Sequence, residues 1–349
     1  PGATGRMSEQ PRGRVGVLCV GTIVADVRKV IDVYPAPDHL ATIEEVSLST
    51  GGAALNLAVD MRLLGATYPI ALGGAIGDDE HGSFILEACR SSNIETSRVR
   101  RMPDTVTSFT DAMVERDGGR RTFFQHHGAN GRFDGSGVDI EGSDARVLHV
   151  GAPGLHPLLD SRLPDGSNGW SRLLEQGQAS GLRTNLELVS IDPAVVAGLA
   201  RPCLPHLDSI IVNELEAGAI TGIDTEAPAA DGPVDWVAME AMAEGLVERG
   251  VSGVAVVHFP AGCVAAAPGG RSWRQGSVRL TREQVANTTG AGDAIAAGVM
   301  LGLHDGWSIE ECLRLGVASA AASVRGQSTS GDIGPAERCL AEALRRQRG

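Results

Sequence analysis

The chain has 349 residues, of which 42% are hydrophobic and 21% are charged, and its formal net charge is −13. This composition is ordinary for one large globular domain, and the acidic balance argues against nucleic acid as a partner, because a phosphate backbone binds basic surfaces. We find no secretion signal and no apolar run of about 18 residues, the length that a membrane helix needs. We therefore expect a cytoplasmic protein with no membrane partner.

Patterns typical of buried strands alternate with patterns typical of helices along most of the chain. We expect a disordered N-terminus over residues 1–14 and one domain over residues 15–346. Strand patterns lie at 15–21, 69–73, 146–151, 209–212 and 253–257, and helical patterns at 54–64, 83–92, 170–175, 214–221, 236–249, 294–303, 308–324 and 336–346. This alternation predicts an α/β fold, with a mostly parallel central sheet and helices on both of its faces.

Two segments interrupt this alternation. Residues 39–50 alternate like an antiparallel strand, and residues 107–126 are typical of two strands joined by a turn at 116–119. We predict a small β-sheet formed by about residues 36–50 and 104–127. An exposed strand edge can pair with a second copy, so a homodimer through this sheet is expected. Segments 160–171 and 226–234 are rich in Pro, Gly, Asp and Ser, and are predicted to be loops.

The most informative motif is Asn287-Thr-Thr-Gly-Ala-Gly-Asp293, which follows a strand-like run and opens a helix. Bare N–H groups at a helix N-terminus bind anions, so the amides of Gly290, Ala291 and Gly292 are candidates to hold a phosphoryl group. A carboxylate repels a phosphate, so Asp293 is better suited to take a proton from an attacking hydroxyl. The alternative is that Asp293 only caps the helix.

Other chemistries lack their residues. Lys29 is the only lysine, and it is not part of a Gly-Lys-Ser/Thr phosphate loop, so phosphoryl transfer would depend on amides, arginine and Mg²⁺. The six cysteines have neither metal-site nor redox spacing, which argues against zinc. No G-x-G-x-x-G follows the first strand, which argues against a dehydrogenase.

Polar residues also follow several of the predicted strands. Asn213 and Glu216 share one helix face after strand 209–212, at the strand end where ligands bind in open α/β sheets. Their alternative role is a helix cap with an acidic face. Gly51 and Gly52 permit close approach of the backbone to a ligand. The glycines Gly74, Gly77 and Gly82, with Asp79 between them, are predicted to fix a turn.

These motifs together resemble the ribokinase-like (PfkB) family of carbohydrate kinases. The family's D-T-x-G-A-G-D appears at 287–293, its Gly-Gly, Asn and Leu-Gly pattern at Gly51-Gly52, Asn56 and Leu64-Gly65, its G-x-x-G-x-D-x-x-G at 74–82, and its N-x-x-E at 213–216. The resemblance extends from about residue 14 to the end of the chain.

The resemblance implies an ATP-dependent phosphotransferase that acts on a hydroxyl of a sugar or sugar derivative, with Asp293 as general base and the 290–292 amides as an anion hole. It implies that Asn213 and Glu216 organise Mg²⁺ and the ATP phosphates, largely through water, with Glu216 as the metal residue and Gly262 and Thr289 as further nucleotide contacts. It also implies sugar contacts from Asp26, Gly51, Gly52 and Asn56, and a lid role for the small sheet.

Several positions depart from the family pattern. Asn287 stands where aspartate is common in the family. In relatives that aspartate helps to hold a monovalent cation, so a dependence on such a cation is doubtful here. The segment 257–262 keeps only Gly262 of Thr-x-Gly-x-x-Gly. Val24 and Ala53 stand where ribokinase proper has asparagine and lysine, which argues against ribose. The alternatives are an adenosine-type nucleoside kinase, disfavoured by the 3% aromatic content, and a non-catalytic protein that senses nucleotides or sugars.

Overall fold

The computed structural model describes residues 13–117, 120–223, 234–326 and 328–347. Their strands are β1 (Val17–Gly21), β2 (Val24–Ile31), β3 (Ile43–Gly51), β4 (Ile70–Gly77), β5 (Glu95–Met102), β6 (Phe109–Glu115), β7 (Arg121–His126), β8 (Val147–Gly151), β9 (Arg183–Leu186), β10 (Ser209–Asn213), β11 (Val254–Phe259), β12 (Gly262–Ala267) and β13 (Arg271–Gly276). The α-helices are α1 (Ala53–Leu63), α2 (Glu80–Ser91), α3 (Pro157–Asp160), α4 (Gly169–Ala179), α5 (Pro193–Ala200), α6 (Glu214–Thr221), α7 (Trp236–Glu248), α8 (Ala291–Asp305), α9 (Ile309–Ser323) and α10 (Ala336–Gln347).

The central sheet has nine strands in the order β13-β12-β11-β10-β9-β8-β1-β4-β5. All neighbours from β11 to β5 are parallel, and β12 and β13 add an antiparallel edge. Val17 and Cys19 of β1 enter one hydrophobic layer with α1, α2, α8, α9 and α10, whereas Leu18 and Val20 enter the other with α4 to α7. Because successive strand residues point to opposite faces, the sheet is covered on both sides. The predicted fold class is confirmed.

Four strands form a separate small sheet in the order β3-β2-β6-β7. Strand β2 pairs parallel with β6, and the other two pairings are antiparallel. The predicted strands of this sheet correspond to β3, β6 and β7. The sequence did not predict β2, the strand in which Asp26 lies. The charges of Asp26, Arg28 and Lys29 obscure the alternating apolar pattern that is typical of a strand. β2 forms nonetheless, because it pairs with β3 on one side and with β6 on the other.

Other predicted boundaries differ locally. The run before Asn287 is not a strand, because a 3-10 helix at Arg282–Gln284 occupies it. The predicted loop 160–171 contains the end of α3 and the start of α4. Most of the predicted N-terminal segment and of loop 226–234, and the tip of the turn at 116–119, lie outside the described residues.

Asp79 has the structural role that its motif predicted. It is the N-cap of α2, where its Oδ1 accepts a hydrogen bond from the Gly82 N–H at 2.8 Å. Its carboxylate also accepts from the Thr107 N–H at 2.8 Å and the Thr107 hydroxyl at 2.6 Å. Asp79 therefore ties α2 to the chain that enters β6 and thereby helps to position the small sheet.

No helix in the described part of the chain is long and apolar enough to cross a bilayer. All six cysteines are buried and unpaired. Burial raises the pKa of all six thiols, and that of Cys89 rises to about 12. The cysteines therefore pack as small core residues rather than reactive groups.

Candidate functional site

The 287–293 turn leads into α8 and presents free backbone donors. Gly290 is the N-cap with φ 87°, and an added Cβ would lie 2.2 Å from the Thr329 carbonyl oxygen, so only glycine fits. Among the described residues, the N–H groups of Gly290, Gly292 and Asp293 have no acceptor, whereas that of Ala291 makes a long contact of 3.4 Å to the Thr288 carbonyl. The turn therefore has the unpaired donors and the helix dipole that an anion site needs.

Asp293 lies in the first turn of α8 but does not cap it. Its Oδ2 accepts a hydrogen bond of 2.7 Å from the Asn56 Nδ2 of α1, across 237 positions of sequence. The structure thus brings together the predicted base and a predicted sugar-binding residue. The Asn56 Oδ1 is buried and has no hydrogen-bond partner in the described part of the chain. This leaves an acceptor beside Asp293 that a ligand hydroxyl could satisfy.

Asp26, Gly51 and Gly52 meet where the small sheet joins the core. An added Cβ at Gly51 would lie 2.1 Å from the Asp26 carboxylate, and one at Gly52, with φ 95°, would lie 2.4 Å from the Thr22 carbonyl. Both glycines are therefore needed for this packing. Burial raises the pKa of Asp26 to about 6; a hydrogen bond from Thr110 opposes the rise, and the charge of Asp293 adds to it. Asp26 and Asp293 are thus close enough to interact electrostatically.

Three buried polar residues under the site were not predicted. Glu187 follows β9 and is 5% exposed; burial raises the pKa of its carboxyl well above the usual range, and a hydrogen bond to Asp293 adds to the rise. The Nε2 of His149 lies 3.4 Å from its Oε2, and burial lowers the pKa of His149 to about 3. Burial also raises the pKa of Asp60, one helical turn beyond Asn56. Glu187 therefore lies beneath Asp293, with the pKa of its carboxyl raised by burial and by the charge of Asp293.

The sequence signal that could have identified Glu187 as a site residue was its position directly after a strand. That signal was hidden because β9 has only four residues, Arg-Thr-Asn-Leu, without an apolar pattern.

Asn213 and Glu216 form a reciprocal cap at the start of α6. The Glu216 N–H donates to the Asn213 Oδ1 at 2.9 Å, and the Asn213 N–H donates to the Glu216 Oε2 at 3.1 Å. The Ser190 hydroxyl donates to the other Glu216 oxygen at 3.1 Å, and burial raises the Glu216 pKa to about 6. The capping alternative is thus present in the structure, and both carboxylate oxygens already have donors.

The donor set does not enclose a metal. No group of three or more His, Cys, Asp or Glu side chains among the described residues could hold a metal ion. Mg²⁺ keeps several waters and binds through few carboxylates plus substrate phosphates, so Glu216 fits a water-mediated contact rather than a direct one.

The two remaining predicted nucleotide residues differ in their surroundings. An added Cβ at Gly262 would lie 2.2 Å from the Gln275 carbonyl, so its glycine is explained by packing against β13. Thr289 lies in the 287–293 turn, where its Oγ1 accepts from the Arg121 Nη1 of β7 at 3.1 Å. Arg121 was not predicted as a site residue.

Comparison with known proteins identifies the family. The profile of the pfkB family carbohydrate kinases matches residues 16–334. The chain belongs to this family. It is 25% identical to a ribokinase of Arabidopsis thaliana over 314 residues, which cover 88% of this chain and 76% of that protein. It is 26% identical to a fructokinase of Rhizobium leguminosarum bv. trifolii over 293 residues, with 82% and 79% covered.

The fold agrees with solved members of the family. The structure of Arabidopsis thaliana ribokinase complexed with ribose and ATP aligns with a TM-score of 0.77 at 21% identity, covering 95% of this chain and 99% of that one. The protein is therefore a carbohydrate kinase with the ribokinase fold, as its motifs predicted.

Proposed function

We propose that this pfkB kinase transfers the terminal phosphoryl group of ATP to a hydroxyl of a sugar or sugar derivative, with Asp293 as general base. The observation that carries the proposal is the juxtaposition of the Asp293 carboxylate with the unpaired N–H groups of Gly290 and Gly292. A base and an anion site in one helical turn allow deprotonation and charge stabilisation to act on the same transfer.

Each site residue has a role in the transfer that follows from its position. Asp26 and the free Asn56 Oδ1 accept hydrogen bonds from sugar hydroxyls, and the Asn56 amide holds the Asp293 carboxylate in place. Asp293 takes the proton of the attacking hydroxyl as the new oxygen–phosphorus bond forms and the bond to the bridging oxygen of the nucleotide breaks. The amides of the 287–293 turn hold the phosphoryl oxygens, with Ala291 contributing less because its N–H already contacts Thr288.

Glu216 and Asn213 lie at the carboxyl end of β10 and would reach a nucleotide-bound Mg²⁺ through water. When bound, Mg²⁺ supplies charge neutralisation for the phosphates. Thr289 would contact the nucleotide phosphates, and Gly262 would contact the nucleotide only through its backbone. The small sheet acts as a lid over the sugar and excludes water that could otherwise accept the phosphoryl group.

An ADP-release screen tests the proposal. Neutral sugars, sugar acids, inositols and nucleosides would be offered with ATP and Mg²⁺ to the wild-type protein and to Asp293→Asn. Turnover of a sugar by the wild type alone supports the proposal. Turnover of nucleosides alone would show an adenosine-type kinase, and ligand-induced thermal shifts without any ADP release would show a sensing protein.

A further inference from the structure

A side chain of the small sheet reaches the 287–293 turn. The Arg121 Nη1 of β7 donates to the Asn287 Oδ1 at 2.5 Å and to the Thr289 Oγ1 at 3.1 Å, across 166 and 168 positions of sequence. The Asn287 Oδ1 also accepts from the Thr289 N–H at 2.9 Å. One guanidinium nitrogen therefore binds the two side chains that shape the start of the turn.

Arg121 differs from the other arginine and lysine side chains of the small sheet and its connections in its ion pairing. Each of these others is paired with a carboxylate: Arg28 with Glu45, Lys29 with Asp111, Arg116 with Glu44 and Arg120 with Glu115. Arg121 forms no ion pair with any described carboxylate, and both of its acceptors are uncharged. Its positive charge is consequently not neutralised, and it lies next to a turn whose free amides already favour an anion.

We propose that Arg121 is a positioning residue that locks the small sheet onto the 287–293 turn, so that enclosure of the sugar and organisation of the phosphoryl site occur together. This inference rests on the proposed function. Asn287 also bonds to Val324 and Ser328 of the core, so Arg121 ties a turn that the core already supports to β7 of the small sheet. The unpaired charge of Arg121 further favours the phosphoryl group over water in the closed site.

The test compares Arg121→Met, Arg121→Lys and the control Arg120→Met. Arg120 neighbours Arg121 but contacts the small sheet and its connections, with its guanidinium 4.2 Å from the Tyr34 ring centre and 3.8 Å from Glu115. We expect Arg121→Met to lower kcat by about 10²-fold, comparable to the loss of one preorganised donor, because the amides of the 287–293 turn would lose their alignment. Arg121→Lys should recover part of this loss because it keeps the charge, and Arg120→Met should remain within about twofold of wild type, as for surface changes.

A second readout separates positioning from general stability. The ratio of ATP hydrolysed to sugar phosphorylated should rise in Arg121→Met, because an unlocked lid admits water, while its Tm stays near that of Arg120→Met. Hydrogen exchange of residues 121–126 with sugar and a non-hydrolysable ATP analogue should slow in the wild type but not in Arg121→Met.

An Arg121→Met protein with wild-type kcat and an unchanged hydrolysis ratio would overturn the inference, as would a loss of activity fully explained by a lower Tm. Inactivity of the wild type on every acceptor would instead contradict the proposed function, which distinguishes the two failures.

Discussion

At the residue scale, Asp293 carries the sharpest expectation. Asp293→Asn retains the shape and can still bond to Asn56, but it cannot take a proton, so kcat should fall by about 10³-fold, within the usual cost of removing a general base. ATP affinity should be nearly unchanged. Asp305→Asn, at the opposite end of α8, is the control. A kcat above about a tenth of wild type would contradict the assignment, since that loss is smaller than base removal causes.

Asp26 makes sugar binding depend on pH. Its pKa is raised to about 6, mainly by burial, so it is ionised at neutral pH and becomes protonated as the pH falls through 6. The protonated carboxyl accepts fewer hydrogen bonds, so the KM for sugar should rise below about pH 6. Steady-state kinetics over a range of pH should show this rise in the KM for sugar in the wild type and a constant KM in Asp26→Asn. A similar rise in Asp26→Asn would assign the titration to another group.

At the element scale, the N-terminus of α8 and its C-terminus allow a matched comparison. Gly290 and Gly306 are both left-handed caps, with φ 87° and 78°, but an added Cβ meets the Thr329 carbonyl at Gly290 and open space at Gly306. Gly306→Ala should therefore cost about 1–2 kcal/mol of unfolding free energy, the penalty for a left-handed residue. Gly290→Ala should cost more and should also lower kcat, because the clash moves the anion-binding amides.

Denaturant unfolding and steady-state kinetics of the two variants test this difference. Equal stability losses with equal activity would show that the turn tolerates a side chain and that its geometry is not required for transfer.

At the scale of the whole molecule, the small sheet leaves apolar surface and two strand edges uncovered. β3 and β7 are its edge strands, and they carry Val46 and Phe124, which are 61% and 58% exposed. Uncovered strand edges and apolar side chains favour association, so we expect a homodimer through this sheet. Light scattering should give twice the chain mass, and Val46→Lys should shift the protein towards the monomer. A wild-type monomer at assay concentration would contradict the expectation.

The sequence by itself was sufficient for features that depend on near neighbours along the chain. A helix that opens after the 287–293 motif and a turn that is fixed by Asp79 each require only a few consecutive residues. The alternation of buried strands and helices likewise predicted the central sheet, because burial on both faces produces continuous apolar runs. The family motifs extended this to the chemistry of a carbohydrate kinase.

Only the tertiary structure decided which distant residues meet. Asn56 contacts Asp293, and Arg121 contacts Asn287 and Thr289, because strand order and the pairing of β2 with β6 bring these segments together. Glu187 lies under Asp293 although β9, the strand before it, has no apolar pattern. Such contacts depend on how layers pack rather than on local periodicity. The sequence therefore determined the 287–293 turn, and the tertiary structure determined the side chains that surround it.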